Sequence, residues 1–201
     1  MYLGTFLEPE IDLPRIRELL DGLGHPGRLD SIRQWDAKTQ ARLFEAAKGF
    51  KAVGLDDFVP PGTASLVEII HHGYNSLPTF NHFQKRFCLP PEGEREGKWG
   101  PELWGYNEQR WLGVTGPGYY VAHAWEEAEG EVAIDYRAVP PKKPASWPEI
   151  LPNEAKLGRL VYAGMVDVMR GISNHVSIGR AMKGGKWMDA WFVLCREDRK
   201  D

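Results

Sequence analysis

Asn153-Glu154-Ala155-Lys156-Leu157-Gly158-Arg159-Leu160-Val161-Tyr162-Ala163-Gly164-Met165-Val166-Asp167-Val168-Met169-Arg170-Gly171-Ile172 is the stretch whose reading decides the fold. Leu157, Leu160, Val161, Gly164, Met165, Val168, Met169 and Ile172 step by three or four residues, and Asn153 stands where an N-cap belongs. The pattern predicts a long amphipathic helix with one apolar stripe, which must lie on a sheet or another helix. The next segment supplies a sheet. Residues 175–182 and 187–195 flank Lys183-Gly184-Gly185-Lys186, a two-residue hairpin signal. That turn predicts a register with Val176 opposite Val193, Ile178 opposite Trp191, Arg180 opposite Asp189 and Met182 opposite Trp187.

Working towards the N-terminus, Pro140, Pro141, Pro144, Pro148 and Pro152 forbid regular structure, and before them residues 119–125 and 132–136 alternate as strands around Glu129-Gly130. This hairpin would set Trp125 across from Ile134 and His123 across from Tyr136. Residues 89–118 show no periodicity and read as an irregular Trp-rich loop. The first third reads helical. Helices are predicted over 13–23, opened near Asp12-Leu13-Pro14, and over 37–48, capped by Asp36. Ser65 and Glu68 have capping-box spacing for a helix that Gly73 ends, and a further short helix covers 77–87, with Phe80, Phe83 and Phe87 on one stripe and His82 and Arg86 on another face. The expected fold is α+β in a single domain: an N-terminal helical layer (1–88), the loop (89–118), and an antiparallel sheet of two hairpins joined by the long amphipathic helix (119–201).

Composition bounds the function. The 201 residues carry 25 Lys plus Arg and 28 Asp plus Glu, a formal charge of −3, with no basic stripe, so nucleic acid is not an expected partner. No apolar run is long enough to span a bilayer, and Met1 to Phe6 lacks the pattern of a signal peptide. Cys88 and Cys195 are far apart, which reads as two reduced thiols, and a cytoplasmic location is the expectation. The chain is unusually aromatic and turn-rich, with 8 Trp, 22 Gly and 15 Pro.

Three segments carry a family likeness: Gly130-Glu131-Val132-Ala133-Ile134-Asp135-Tyr136-Arg137, then Gly158-Arg159-Leu160-Val161-Tyr162-Ala163-Gly164-Met165, then the hairpin from Val176 to Cys195. In them the chain resembles the group of ligand and sensor domains that includes the heme nitric-oxide/oxygen-binding domains, the vinyl-reductase-type domains and the transport-particle subunits. The resemblance implies a small-ligand or sensor role, with heme as the cofactor it would bring. Heme-binding members carry a Tyr-x-Ser-x-Arg run, whereas this chain reads Tyr136-Arg137-Ala138-Val139-Pro140. No cofactor and no metal is therefore predicted.

The residues support three functional readings. The first is a small-molecule-binding or sensor-like protein whose apolar pocket lies between the C-terminal sheet and the helical layer, lined by Trp104, Tyr106, Trp125, Tyr136, Arg180 and Trp191, with a small apolar or aromatic ligand. Arg180 would be the cation of its wall, held by Asp189. The second is an enzyme using His72 with Glu68, four apart on one helical face, or His123 with Tyr136, as acid and base; the first pair also has the spacing to hold a metal. The third is an interaction module presenting Trp99 to Trp111 to a partner, a second copy included, which would make a homodimer.

Overall fold

The computed structural model describes residues 6–7, 9–76, 81–108, 116–152 and 162–198. Its helices are α1 (Leu13–Gly22), α2 (His25–Ile32), α3 (Ala37–Ala46) and α4 (Leu55–Phe58). The Asp12 carboxylate accepts the Arg15 N–H at 3.1 Å to open α1, and Asp36 accepts the Thr39 N–H at 2.8 Å to open α3, as the sequence predicts. Apart from a 3-10 turn at Glu92–Glu94, the regular elements that follow among the described residues are strands: β1 (Ile69–Asn75), β2 (His82–Cys88), β3 (Glu96–Gly97), β4 (Gly100–Glu108), β5 (Tyr119–Ala124), β6 (Val132–Asp135), β7 (Met165–Gly171), β8 (Val176–Lys183) and β9 (Lys186–Arg196).

Apart from the two-residue β3, which pairs antiparallel with the start of β4, each strand pairs antiparallel with the next; β9 pairs with β1 and β2 with β4. The result is a closed eight-stranded antiparallel barrel. The α+β expectation of helices on two hairpins joined by a helix is thereby corrected. Residues 165–171, the second half of the predicted long helix, form β7; residues 153–161 lie outside the described residues. The predicted helix at 65–73 is largely β1, and Leu66 adopts φ 59°, a left-handed conformation through which no helix passes. The predicted helix at 77–87 is β2 from His82 onwards, and β4 runs through the supposed loop.

One geometric degeneracy accounts for the strands that read as helix. A step of four residues returns a side chain to the same face in a helix and in a strand, whereas a step of three does so only in a helix. Met165 and Met169 share a face in β7, as do Phe83 and Phe87 in β2. Val168, three on from Met165, faces outward, and it is buried too because the barrel is covered outside as well as filled inside. Helices α1 to α3 cover the outer faces of β8 and β9, where Ile16, Leu20, Trp35, Leu43 and Phe44 pack with Ile178 and Val193. The proline-rich segment covers another outer face, setting Trp147 against Tyr106 and Tyr119.

The hairpin registers change accordingly. Met182 faces Trp187 as predicted, but an irregularity between Arg180 and Met182 shifts the rest: Arg180 faces Trp191, Ile178 faces Val193 and Val176 faces Cys195. In the other hairpin, Ala122 faces Ile134 and His123 faces Ala133, because the connection runs from Trp125 to Glu131 rather than through two residues.

Inside, aromatic rings lie across glycines of neighbouring strands. The Phe83 ring covers Gly73, Tyr120 covers Gly105 and Phe192 covers Gly179. A Cβ at Gly105 would lie 2.3 Å from the Tyr120 ring and 2.5 Å from the Arg86 carbonyl oxygen, which belongs to the sheet and cannot swing aside. Gly105→Ala is expected to cost about 1–3 kcal/mol of stability, read as a lowered urea midpoint at unchanged slope.

Candidate functional site

The up-and-down order gives the barrel two distinct ends. One end carries the β2–β3, β5–β6 and β7–β8 connections and is plugged by residues 51–59. There Lys51 bridges Gly171, the Val53 N–H donates to Gly130 O at 2.9 Å, and Val53, Phe58 and Val59 join the interior cluster. His71 faces this plug. Its Nε2 lies 2.9 Å from Phe58 O, its ring stacks on Phe58, and the Phe87 ring meets it edge-on. Burial holds its pKa down to about 3, against the hydrogen bond to Phe58, so the ring is neutral at pH 7.

Towards the opposite end the interior holds an ion pair. Lys85 Nζ donates to Asp167 Oδ2 at 2.9 Å, to Asn107 Oδ1 at 3.3 Å and to the Tyr136 hydroxyl. It is 1% exposed and Asp167 3%. Four rings surround the ammonium, with centroids at 4.9 Å (Tyr136), 5.0 Å (Phe192), 5.3 Å (Tyr120) and 5.7 Å (Phe83). Burial drives the Lys85 pKa below its ordinary value while Asp167 pulls it back up. Burial, then the Asp167 charge, pushes the Tyr136 phenol well above the usual range, so it remains protonated. Tyr162 stacks on Tyr136 at 5.1 Å and extends this aromatic wall. The strands dictate the cluster: Phe83, Lys85 and Phe87 alternate inward along β2, and Met165, Asp167 and Met169 along β7.

Of the side chains singled out from sequence, Tyr136 alone joins this cluster. Trp104 and Tyr106 are buried on the outer face, where the Trp104 indole N–H donates to Glu102 at 3.0 Å and the Tyr106 hydroxyl to Glu108 at 2.8 Å. Trp125 packs outside on Ala133 and Val168. Arg180 and Trp191 are stacked together outside, guanidinium to ring centroid 4.9 Å, and Arg180 Nη2 lies 3.4 Å from an Asp189 that is 90% exposed. The layer between sheet and helices, where the pocket was expected, is filled by the packed core of α1 to α3.

The two acid/base pairs are not assembled either. Glu68 accepts both Arg86 Nη1 (3.0 Å) and the Trp147 indole N–H (2.6 Å), whereas His72, four residues further along an extended chain and so about 13 Å away, bonds Glu197 at 2.7 Å. His123 points outward, stacked on Trp99 at 4.3 Å and 3.7 Å from Asp135, with the barrel wall between it and Tyr136. Trp99 is thus the partner of His123 rather than a free ring, and Trp111 lies outside the described residues. His71, His72 and His82 do not share a cavity: His71 is inside, while His72 and His82 line an outer groove of about 300 Å³ with Arg86 and Glu108.

No sequence pattern singles out Lys85 with Asp167. Asp167 alone carries a signal: it is the one acid within Met165-Val166-Asp167-Val168-Met169, and an acid inside a doubly buried strand needs a cation. Removing only the cation in Lys85→Met should cost about 3–5 kcal/mol, and the double variant Lys85→Met/Asp167→Leu should regain most of it, both measured by urea unfolding. For His71 the unfolded ring titrates at its ordinary 6.5 and the folded ring at about 3. The unfolded chain therefore binds more protons between these values. This contribution is complete above about pH 6.5 and is lost as pH falls towards 3, at up to about 1.4 kcal/mol per pH unit. His71→Gln should flatten that slope in unfolding measured from pH 7 to 4. No family model, curated protein or solved structure matches the chain.

Proposed function

We propose that this protein binds a small, partly apolar molecule inside the barrel, from the end opposite the α4 plug, and that Lys85, Asp167 and Tyr136 read the ligand's polar group. Lys85 carries the proposal. Burying an ammonium and a carboxylate is expensive, and a well-packed apolar pair would hold the barrel as well or better, so stability alone gives little reason for the ion pair. A recognition role does: a few convergent polar groups within aromatic walls are how small-molecule sites fix orientation. An eight-stranded barrel has room inside for side chains or for one small ligand. The rings of Phe83, Tyr120, Tyr136, Tyr162 and Phe192 suit an aromatic or lipid-like body, and the ammonium and phenol suit a carbonyl, phenol or carboxylate head.

A panel of such compounds, screened by tyrosine and tryptophan fluorescence and by Tm, should yield a ligand that raises Tm by several degrees. The Lys85→Met/Asp167→Leu variant should stay folded and lose at least tenfold in affinity for it. Equal binding by the double variant, or no response to any member of the panel, overturns the reading.

A further inference from the structure

On the outer wall, away from the ion pair, three residues distant in sequence converge. His25 begins α2, His72 lies on β1 and Glu197 follows β9, and each offers a ligand atom within 4.8 Å of the other two. His72 Nε2 and Glu197 Oε1 are 2.7 Å apart, and the two imidazole rings lie 5.2 Å apart centre to centre. We propose that His25, His72 and Glu197 bind a divalent transition-metal ion of the zinc class, with water in the remaining position.

The donor set is chemically coherent. Two imidazoles and one carboxylate are a recurrent three-ligand set for zinc, and zinc bonds of about 2.0–2.1 Å place tetrahedral ligands about 3.3 Å apart. The His72–Glu197 contact needs to open by roughly half an ångström to reach that spacing, and the wider separations need to close, movements within reach of side chains that are only partly buried. The surroundings favour the site. His25 Nδ1 faces Cys195 Sγ at 3.8 Å, which leaves its Nε2 for the ion. Arg28, a cation close to His25 in the chain, is paired with Asp198, which also accepts the His25 backbone N–H at 3.2 Å and lies 3.4 Å from His175 Nδ1. His72 lines the outer groove, from which water reaches the ion. Bound metal would tie α2, β1 and the segment after β9 together, and the site is independent of the proposed barrel ligand.

The test is calorimetric titration of Zn²⁺ into the full chain after chelator treatment, together with visible absorption of the Co²⁺-loaded protein. One ion per chain is expected, with a tetrahedral Co²⁺ spectrum and a Tm raised by several degrees. His25→Gln, His72→Gln and Glu197→Gln should each weaken binding at least tenfold, and His82→Gln, in the same groove, should not. Binding that is unaltered in all three variants, or that His82→Gln abolishes equally, overturns the site. So does a wild-type chain that takes up no Zn²⁺ at micromolar concentration or gives no tetrahedral Co²⁺ spectrum, a readout independent of whether any variant folds.

Discussion

When residues 84–88 pair with 104–108, the last open edges of the strand meander disappear and a fixed interior volume is enclosed. Every inward side chain must then fit a space that cannot spread. Glycine under aromatic ring is how this chain meets the constraint, at Gly73 and Phe83, Gly105 and Tyr120, and Gly179 and Phe192. Large and small residues interlock between neighbouring strands, at the close packing that protein interiors reach. The same closure decides where residues 51–59 can go: one end of the cylinder needs a stopper, and Phe58 with His71 provides it.

Closure also gives each strand two buried sides. The interior takes one, and helices α1 to α3 or the proline-rich segment take the other over much of the wall. Several charged groups caught in either layer are paired. Inside, Lys85 meets Asp167. Outside, Arg170 Nε meets Glu131 at 2.7 Å, and its Nη1 donates to Phe44 O at 2.8 Å. Asp135, completely buried, is held down to about 2: burial alone would raise it, and the His123 ring 3.7 Å away together with the hydrogen bonds from Arg137 outweighs that. These pairs differ in kind from the exposed contact of Lys142 with Glu94, which contributes under about 1 kcal/mol in water. Within the barrel, water cannot replace a lost partner, and so chemistry and stability meet at Lys85.

Much of the local structure was legible. Asp12 and Asp36 marked helix starts because capping is settled within four residues, and Lys183-Gly184-Gly185-Lys186 marked a hairpin because its glycines, at φ 58° and 75°, adopt the left-handed conformation such a turn requires. The strands β5 and β6 were recognisable by alternation. What misled was spacing by four, which served Glu68 with His72, Phe83 with Phe87 and Met165 with Met169 equally well as helix or as strand. The two-sided burial of β7 removed the alternation that would have separated the two readings. The candidate site suffered from the same error: with 165–171 read as helix and 82–88 as helix, Lys85 and Asp167 had no reason to meet.

The sequence by itself determined that helices open at Asp12 and Asp36, that a hairpin turns at Gly184-Gly185, and that the chain is rich in aromatic side chains. Only the tertiary structure decided which side chains face each other. Partners such as Lys85 and Asp167, or His25, His72 and Glu197, lie 82 to 172 residues apart at their extremes and on different elements. Their contact depends on strand order, on which face of the wall each side chain takes, and on closure of the cylinder. Those are properties of the whole barrel, because a single strand carries no information about what lies across its interior.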